Sequence, residues 1–275
     1  MQKKIAVIND LSGYGRCSLT VAIPVLSAMG HQCCPIPTAI LSNHTEFPVY
    51  FFDDYTEKMT TYTDKWKELG LSFDAIATGF LGSEAQIGIV MEIVQKLKAE
   101  ETFVVVDPVM GDHGHAYETY TPEMCEQMKE LVCMADVVLP NVTECCILTD
   151  TPYREENWTR KELLNMAMML RLMGAKSVVI TGVREGSCYT NVVLEQGQYD
   201  AKFIRTRSSG GERPGTGDVF SSIVAGALLN GKSLPEAVSQ AAGFVKECIK
   251  VSDEEQIPHA NGVCFEKILG KLIKK

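Results

Sequence analysis

Short runs of apolar, mostly β-branched residues alternate along the chain with longer segments that have the pattern of helices. The runs, such as FVVVD and SVVIT, are apolar throughout, which is typical of strands covered on both faces of a sheet. The repeated strand–helix–strand order predicts a mainly parallel central sheet with right-handed crossovers. The predicted strands are Ile5–Ile8, Cys34–Ile40, Ala75–Thr78, Phe103–Val106, Val137–Leu139 and Val178–Thr181. The predicted helices cover residues 18–29, 54–69, 83–100, 121–133 and 159–173.

The pattern changes near residue 187. Ser187–Leu194 and Gln198–Thr206 have the pattern of a hairpin added to the edge of the sheet. A glycine-rich loop, Ser208–Gly217, then leads into a long apolar helix that begins near Asp218, and further helices finish the chain. Because no linker, repeat or low-complexity tract interrupts this pattern, we expect one domain over residues 1–275.

Composition narrows the classes of function. The chain is 45% hydrophobic and 22% charged, which is ordinary for a globular protein. Its net charge of −9 argues against nonspecific binding to nucleic acid or to an anionic membrane. The apolar runs are too short for a signal peptide or a membrane span, so we expect a cytoplasmic protein. The ten cysteines include no C-x-x-C spacing, and we expect them to be reduced and mostly buried, without a zinc site.

Polar or glycine-rich segments directly follow five of the predicted strands. In an open parallel sheet, ligands bind outside the carboxyl ends of the strands. We therefore expect these five segments to surround a binding site. They are Asn9–Arg16, Gly79–Ser83, Asp107–His115, Asn141–Glu144 and Thr181–Arg184.

The segment Arg213–Asp218 (RPGTGD) precedes the long apolar helix. Its two glycines would let backbone N–H groups approach an anion, and the helix would present its positive end there. This suits the charge that develops on a transferring phosphoryl group. Asp218 could accept a proton from an attacking alcohol. The alternative from these residues alone is an ordinary helix cap after a glycine turn, and both interpretations stay open.

Two acidic segments suit a magnesium–nucleotide site. Asp107 follows a buried strand, where a carboxylate can bind Mg²⁺ directly or through water. Asn141 and Glu144 lie three residues apart and would face the same site from one helical turn. The absence of G-x-x-x-x-G-K-[ST] from the sequence argues against a Walker-type kinase. Gly13–Arg16 lacks the third glycine of a dinucleotide fingerprint, and we interpret it as a ligand-contacting turn.

Five motifs together carry a more specific resemblance. SNHT, GFLG, DPVMG, LPN-x-x-E and GTGD occur in this order and at about the spacing found in pyridoxal kinases. The chain thus resembles the vitamin B6 kinases of the ribokinase-like superfamily over essentially its whole length. This resemblance implies an α/β fold, a three-layer α/β/α sandwich with a mainly parallel central sheet, an edge hairpin and a small lid. It also implies phosphoryl transfer from MgATP to the 5′-hydroxymethyl group of a B6 ring.

The resemblance also implies roles for individual residues. Asp218 would be the catalytic base, and the N–H groups of Gly215, Thr216 and Gly217 would bind the transferring phosphoryl group. The expected ATP-binding residues are Asp107, Asn141, Glu144, Thr181, Arg205, Gly215, Thr216 and Gly217, and the expected metal-binding residues among them are Asp107 and Glu144. The expected substrate-binding residues are Asp10, Ser12, Tyr14, Thr45, Glu46, Phe80 and Asp218. The expected cofactors are MgATP and a monovalent cation such as potassium.

Two residues depart from the pyridoxal kinase pattern. Asp10 replaces a substrate-binding serine, and Phe80 stands where a tyrosine is frequent. We hypothesise that Asp10 recognises a protonated ring nitrogen or amine, which would favour pyridoxamine. The alternative is that Asp10 bonds to nearby backbone N–H groups. The segment D-x-S-G that begins at Asp10 also resembles hydroxymethylpyrimidine kinases.

Three further expectations depend on this resemblance. The alternative enzyme is a hydroxymethylpyrimidine kinase, with the same machinery and a different ring. The alternative from another class is a catalytically silent ligand-binding member of the fold. The resemblance also implies a homodimer, because members of the B6 branch often pair through the sheet edge and the lid region. Tyr50–Phe52 would supply apolar surface for such a contact or would fold into the core of its own chain.

Overall fold

The computed structural model describes residues 2–273. Apart from two short 3₁₀ helices near the C-terminus, its elements are strands and α-helices. The strands are β1 (Lys4–Tyr14), β2 (Gln32–Asn43), β3 (Phe52–Asp54), β4 (Ala75–Thr78), β5 (Phe103–Val106), β6 (Gly111–Asp112), β7 (His115–Ala116), β8 (Val137–Val138), β9 (Ser177–Glu185), β10 (Cys188–Leu194) and β11 (Lys202–Arg207). The helices are α1 (Ser18–Ala28), α2 (Thr56–Glu68), α3 (Glu84–Leu97), α4 (Pro122–Cys133), α5 (Val142–Leu148), α6 (Arg160–Met173), α7 (Thr216–Leu229) and α8 (Leu234–Glu254).

The central sheet has the strand order β11-β10-β9-β8-β5-β4-β1-β2-β3. The six strands from β9 to β2 in this order are parallel, and the strands at the two edges pair antiparallel. The predicted mainly parallel sheet and its edge hairpin, β10–β11, are therefore confirmed. The chain moves outward from β1 to β2 and then returns to β4 on the other side of β1. This switch point opens a crevice at the carboxyl ends of β1 and β4.

Helices cover both faces of the sheet and make the three layers that the sequence predicts. α1, α7 and α8 pack on one face, and α2 to α6 pack on the other. In β1, Ala6 and Ile8 join the core under α2 to α6, whereas Ile5 and Val7 join the core under α1, α7 and α8. Because successive side chains of a strand point to opposite faces, both sets must be apolar. This explains the continuous apolar runs in the sequence.

The first strand is longer than the prediction of Ile5–Ile8. β1 continues to Tyr14 and pairs with β2 as far as Asn43. The prediction of a turn at Gly13–Arg16 is therefore wrong in its first half, because Gly13 and Tyr14 belong to the strand. Gly13 and Tyr14 are exposed at the outer end of β1, so no apolar run marks this end and its sequence resembles a loop.

A β-bulge separates the buried and outer parts of the β1–β2 pair. The register shifts between Asn9 and Leu11, where β2 contributes one residue more than β1. A bulge bends the strands and increases their twist. Beyond it, β2 continues past its predicted end at Ile40, and the short strand β3 pairs with it. We call residues 11–14 and 40–54 the flap.

Other elements agree with or correct the prediction at their ends. The predicted strand Val178–Thr181 continues to Glu185, so β9, β10 and β11 form a three-stranded antiparallel edge. The predicted small lid is the two-stranded hairpin β6–β7. Among residues 2–273, no helix is both long and apolar enough to cross a membrane. All ten cysteines lie in this described part, and none of them forms a disulfide there. One domain over residues 1–275 stays a prediction.

Candidate functional site

A cleft of about 940 Å³ opens at the carboxyl ends of the parallel strands. Such a volume is at the upper end of the range found for small-molecule sites. Four of the five segments predicted from the sequence contribute to its walls, together with the flap, the lid, the loop before α7 and one face of α8. The predicted site residues that line the cleft are Glu46, Phe80, Asp107, Asn141, Glu144, Thr181, Gly215, Thr216, Gly217 and Asp218.

Five predicted site residues lie outside the lining of the cleft. Asp10 and Ser12 are buried behind it. Tyr14 is 55% exposed and packs edge-on against the Phe47 ring on the flap, where Thr45 is also exposed. Arg205 lies on the outer strand β11 and pairs with Glu185 at 3.6 Å. For these residues, the predicted ligand contacts stay predictions.

The loop before α7 ends in a conformation that requires glycine. Gly215, the N-cap residue of α7, has φ of +79°, and a methyl group there would overlap the carbonyl oxygen of Arg16. The first-turn N–H groups of an α-helix have no intrahelical partners and carry its positive dipole end. Thr216 and Gly217 follow directly, so this end of α7 borders the cleft. The arrangement suits an anion such as a phosphoryl group.

Asp218 lies in the first turn of α7, and the side-chain amide of Asn9 donates to its Oδ1 at 3.1 Å. The backbone N–H of Ser18 also lies close enough to this carboxylate to lower its pKa. Burial, and secondarily the negative charge of Asp10, raise the pKa of Asp218 to about 6, although the Ser18 and Asn9 donors oppose the shift. A carboxylate with this pKa is largely ionised at neutral pH and is still basic enough to take a proton from an alcohol during phosphoryl transfer.

Asn9 is the residue at this site that the sequence analysis missed as an individual residue. Its Oδ1 accepts the backbone N–H groups of Phe80, at 2.9 Å, and of Asp10, at 3.0 Å. Its Nδ2 must therefore point to Asp218. These bonds join the ends of β1 and β4 to α7, across the switch point of the sheet. The sequence signal for Asn9 was its position directly after the first apolar strand, at the start of the predicted site segment Asn9–Arg16.

Glu144 and Asn141 form a capping box at the start of α5. The backbone N–H of Asn141 donates to Glu144 Oε2 at 2.7 Å, and the backbone N–H of Glu144 donates to Asn141 Oδ1 at 2.9 Å. The other carboxylate oxygen, Oε1, accepts the N–H of Met110 at 3.2 Å. These bonds place a carboxylate that is only 4% exposed at the base of the cleft.

Asp107, Glu144 and Asp218 affect one another's ionisation. Burial, and then the negative charge of Asp107, raise the pKa of Glu144 well above its usual range. Burial, and then the negative charge of Asp218, raise the pKa of Asp107. Without a bound cation, the protonated forms of Asp107 and Glu144 are therefore favoured beside the positive end of α7. A cation bound here would favour the ionised form of these carboxyl groups.

The donor set fits a magnesium ion that arrives with a nucleotide. Within the described residues, no group of three or more His, Cys, Asp and Glu side chains could hold a metal ion by itself. Mg²⁺ usually keeps several waters and binds one or two carboxylates together with substrate phosphates. Since both oxygens of Glu144 already accept N–H groups, Glu144 would act through water, and Asp107 would act directly or through water.

The lid is tied to the same helix start as Glu144. The Asn141 side-chain amide donates to the carbonyl oxygen of Gly111 at 2.9 Å, and the N–H of Gly114 donates to the Thr143 hydroxyl at 2.9 Å. On the other side of the cleft, His113 Nε2 lies 3.2 Å from a carboxylate oxygen of Glu212. The lid therefore spans from α5 to the glycine-rich loop before α7.

Comparison with known proteins gives a family and several similar structures. Residues 22–264 match the family model described as phosphomethylpyrimidine kinase. A Bacteroides thetaiotaomicron protein described as a phosphomethylpyrimidine kinase, in a crystal form with pyridoxal, is 39% identical. Its TM-score is 0.94, and the match covers 99% of this chain and 96% of that chain. The pyridoxal kinase from Lactobacillus plantarum is 27% identical, with a TM-score of 0.91 and coverage of 99% and 97%.

A sequence relative agrees with these structures. The pyridoxine/pyridoxal/pyridoxamine kinase of Bordetella avium is 26% identical over 260 residues, which cover 89% of this chain and 84% of that protein. Together with the structural matches, this similarity confirms the resemblance and the fold class that the sequence motifs predict.

Two glycines of the GFLG segment provide a test of the Asn9 contact. A methyl group on Gly79 would overlap the Asn9 amide, whereas the nearest atoms to a methyl group on Gly82 lie 3.8 Å away. Gly79→Ala should therefore displace Asn9 and lower kcat for phosphoryl transfer by about 10- to 100-fold, because Asp218 would lose the alignment that this contact gives it. Gly82→Ala is the matched control and should stay near wild type. Equal activity of the two variants in steady-state kinetics would contradict the role of Asn9.

Proposed function

The chain belongs to the phosphomethylpyrimidine kinase family, and we propose that it transfers the γ-phosphoryl group of ATP to the 5′-hydroxymethyl group of pyridoxal, pyridoxamine or pyridoxine. The observation that carries this proposal is the Asp218 carboxylate, which is held by Asn9 and Ser18 beside the free N–H groups of α7. The choice of ring is supported by the B6 kinases among the relatives and by the pyridoxal in the crystal form of the Bacteroides thetaiotaomicron protein.

The proposed reaction is a direct transfer between two oxygens. Asp218 accepts the proton of the primary alcohol while the alcohol oxygen bonds to the γ-phosphorus. The bond between that phosphorus and the bridging oxygen of ADP breaks, and ADP leaves with the electron pair. The N–H groups of Gly215, Thr216 and Gly217 would stabilise the charge on the transferring group. Such reactions depend mainly on positioning and electrostatics, which a preformed cleft supplies.

The nucleotide would lie between the lid and α7. Magnesium bound with ATP offsets the negative charge of its phosphates. Asp107 and Glu144 would hold the hydrated ion, and Asn141 would orient the phosphates. Thr181 lines the cleft and pairs with Asn141 in a parallel bridge, which supports a contact between Thr181 and the nucleotide. Dependence on a monovalent cation such as potassium stays a proposal that depends on the resemblance alone.

The substrate ring would lie between Phe80 and the flap. Phe80 and Glu46 line this end of the cleft, and Glu46 Oε2 lies 3.7 Å from His259 Nδ1 on the C-terminal segment. An aromatic side chain can stack on a pyridine ring without a hydroxyl group, so Phe80 would keep the ring contact of a tyrosine. Thr45 and Tyr14 would reach the ring only if the flap moves toward the cleft.

Phosphorylation of hydroxymethylpyrimidine is the second candidate. The matching family model and the Bacteroides thetaiotaomicron protein both carry a phosphomethylpyrimidine kinase description. The base, the anion site and the acidic residues would serve either ring. A silent ligand-binding protein is less well supported because the proposed base, the N–H groups of the anion site and the acidic residues all line one cleft. A cytoplasmic location, expected from the sequence, also stays a proposal.

A panel of four acceptors separates these functions. ADP release from MgATP should be measured with pyridoxal, pyridoxamine, pyridoxine and hydroxymethylpyrimidine. We expect turnover on the B6 vitamers, and Asp218→Ala should lower kcat by about 10²- to 10⁴-fold, the usual contribution of a general base. Turnover on the pyrimidine alone would favour the second candidate. If none of the four acceptors is phosphorylated, both proposed kinase activities are wrong and the protein has another function.

The acid limb of the pH profile should report Asp218. A base must be ionised to act, and the pKa of Asp218 is raised to about 6. At saturating MgATP, kcat/KM for the vitamer should therefore be flat above this pKa and fall about tenfold per pH unit below it. Circular dichroism at each pH shows whether the fold persists. A profile that stays flat down to pH 5 in the folded enzyme would argue against Asp218 as the base.

We also propose a homodimer through the flap. β3 is an edge strand of the sheet formed by residues 2–273, and exposed apolar side chains lie on it and on the neighbouring segments; they are Tyr14, Ile40, Val49, Tyr50, Phe51 and Phe52. An exposed apolar patch of this kind marks a contact surface. Light scattering should give a dimer for the wild type and a monomer for Phe51→Glu. Leu172→Glu, at a residue 86% exposed on α6, is the control and should stay dimeric. A monomeric wild type would refute the proposal.

A further inference from the structure

Asp10 is held inside the protein, behind the wall of the cleft. Only 6% of its surface is exposed. Its carboxylate accepts two serine hydroxyls, that of Ser12 at 2.8 Å and that of Ser18 at 2.5 Å. Its backbone N–H donates to Asn9 Oδ1 at 3.0 Å. Both carboxylate oxygens therefore already accept hydrogen bonds from the chain itself.

Ser18 has an unusual backbone conformation. It is the first residue of α1 and has φ of +53°, a region that residues other than glycine rarely adopt. Within the described residues, the Cys17 side chain at the N-cap makes no capping hydrogen bond that could fix this turn. The hydrogen bond from the Ser18 hydroxyl to Asp10 fixes the turn instead. A strained backbone of this kind persists where its surroundings fix it, and such positions cluster at functional sites.

The two partners of Asp10 are the same two residues that hold Asp218. Asn9 donates to Asp218 through its side-chain amide, and the backbone N–H of Ser18 lies close enough to Asp218 to lower its pKa. Asp10 contacts Asn9 through its backbone and Ser18 through its side chain. We propose that Asp10 is a positioning residue, which aligns the Asp218 carboxylate by fixing both of its donors. This inference rests on the proposed function, in which Asp218 is the base.

The inference differs in its consequences from ring recognition by Asp10. A residue that recognises the ring should change KM and the preference among vitamers when it is replaced. A residue that positions the base should lower kcat for every vitamer by the same factor. The buried and doubly bonded carboxylate favours the second outcome.

Two single variants and their double variant test the proposal. Asp10→Asn removes the charge at nearly unchanged volume. Ser18→Gly removes the hydroxyl and also relieves the positive φ, so a purely structural role predicts an unchanged or more stable protein. We expect each variant to lower kcat by about 10- to 100-fold, with KM changed by less than about threefold. The double variant should be no slower than the slower single variant, because both changes break the same link.

Thr20→Ala is the matched control. The Thr20 hydroxyl lies in the same helical turn but bonds to the carbonyl oxygen of Cys17, away from Asp218, so this variant should keep wild-type kcat. The proposal fails if Ser18→Gly has wild-type kcat, or if Asp10→Asn changes the ratio of kcat/KM for pyridoxamine to that for pyridoxal.

A crystal structure of Asp10→Asn separates this proposal from the proposed function. If the wild type is silent with every acceptor, the proposed function fails while the positioning claim stays testable. The claim then predicts that the Asn9–Asp218 hydrogen bond of 3.1 Å is lost or that Ser18 leaves its positive φ. An unchanged arrangement of Asn9, Ser18 and Asp218 in the variant would overturn it.

Discussion

The hydrogen bond from the Asn9 amide to the Asp218 carboxylate joins the end of β1 to the first turn of α7. The same amide oxygen accepts an N–H group at the end of β4, so one side chain connects the three elements that meet at the switch point of the sheet. The connections from the strands on either side of β1 lead in opposite directions there and leave a crevice with few backbone hydrogen bonds across it. The Asn9 side chain makes hydrogen bonds across this crevice. The position of Phe80 and the direction of Asp218 both depend on this residue, which itself stays outside the chemistry.

Burial and charge set the chemical character of the cleft. Three carboxyl groups, Asp107, Glu144 and Asp218, are gathered at the base of the cleft, and burial raises the pKa of each. Their repulsion is relieved from two directions. Backbone and amide donors bond to Glu144 and Asp218, and the positive end of α7 borders the same space. A nucleotide with its magnesium ion would complete this balance, since the ion would lie toward the acids and the phosphoryl group toward the helix. Substrate binding and charge neutralisation are then the same event.

The sequence was sufficient for the layers and for most of the cleft wall. Apolar runs that are continuous rather than alternating predict a covered parallel sheet, and the segment after each strand then has to lie at one edge. GTGD and N-x-x-E could be placed at this edge because each motif depends on local sequence alone. GTGD forms a glycine turn before a helix, and N-x-x-E forms a capping box. The flap could not be predicted in this way. Leu11–Tyr14 pairs with β2, but the segment contains the buried polar Ser12 and the exposed Gly13 and Tyr14, so no apolar run marks it as a strand.

The direction of the side chains on β1 was the second feature that the sequence could not predict. Asp10 and Ser12 lie in a segment that was expected to contact substrate, yet both are buried behind the cleft. Asp10 bonds to the hydroxyls of Ser12 and Ser18, and neither these bonds nor the positive φ of Ser18 can be predicted from residue types. The resemblance aligns Asp10 with a substrate-binding serine by its position in the chain. It does not predict the surroundings of Asp10, whose carboxylate here accepts hydrogen bonds from two nearby serines.

In the proposed mechanism, Asp218 acts in the chemical step and is held for it by Asn9 and Ser18. This role can be measured by calorimetric titration of Asp218→Asn with pyridoxal, alongside its turnover with MgATP. An amide of the same size keeps the shape of the site and cannot accept the proton. We expect pyridoxal binding within about threefold of wild type and turnover reduced by at least about 100-fold. Turnover near the wild-type rate would contradict Asp218 as the base, and loss of binding with proportionate loss of turnover would make it a binding residue instead.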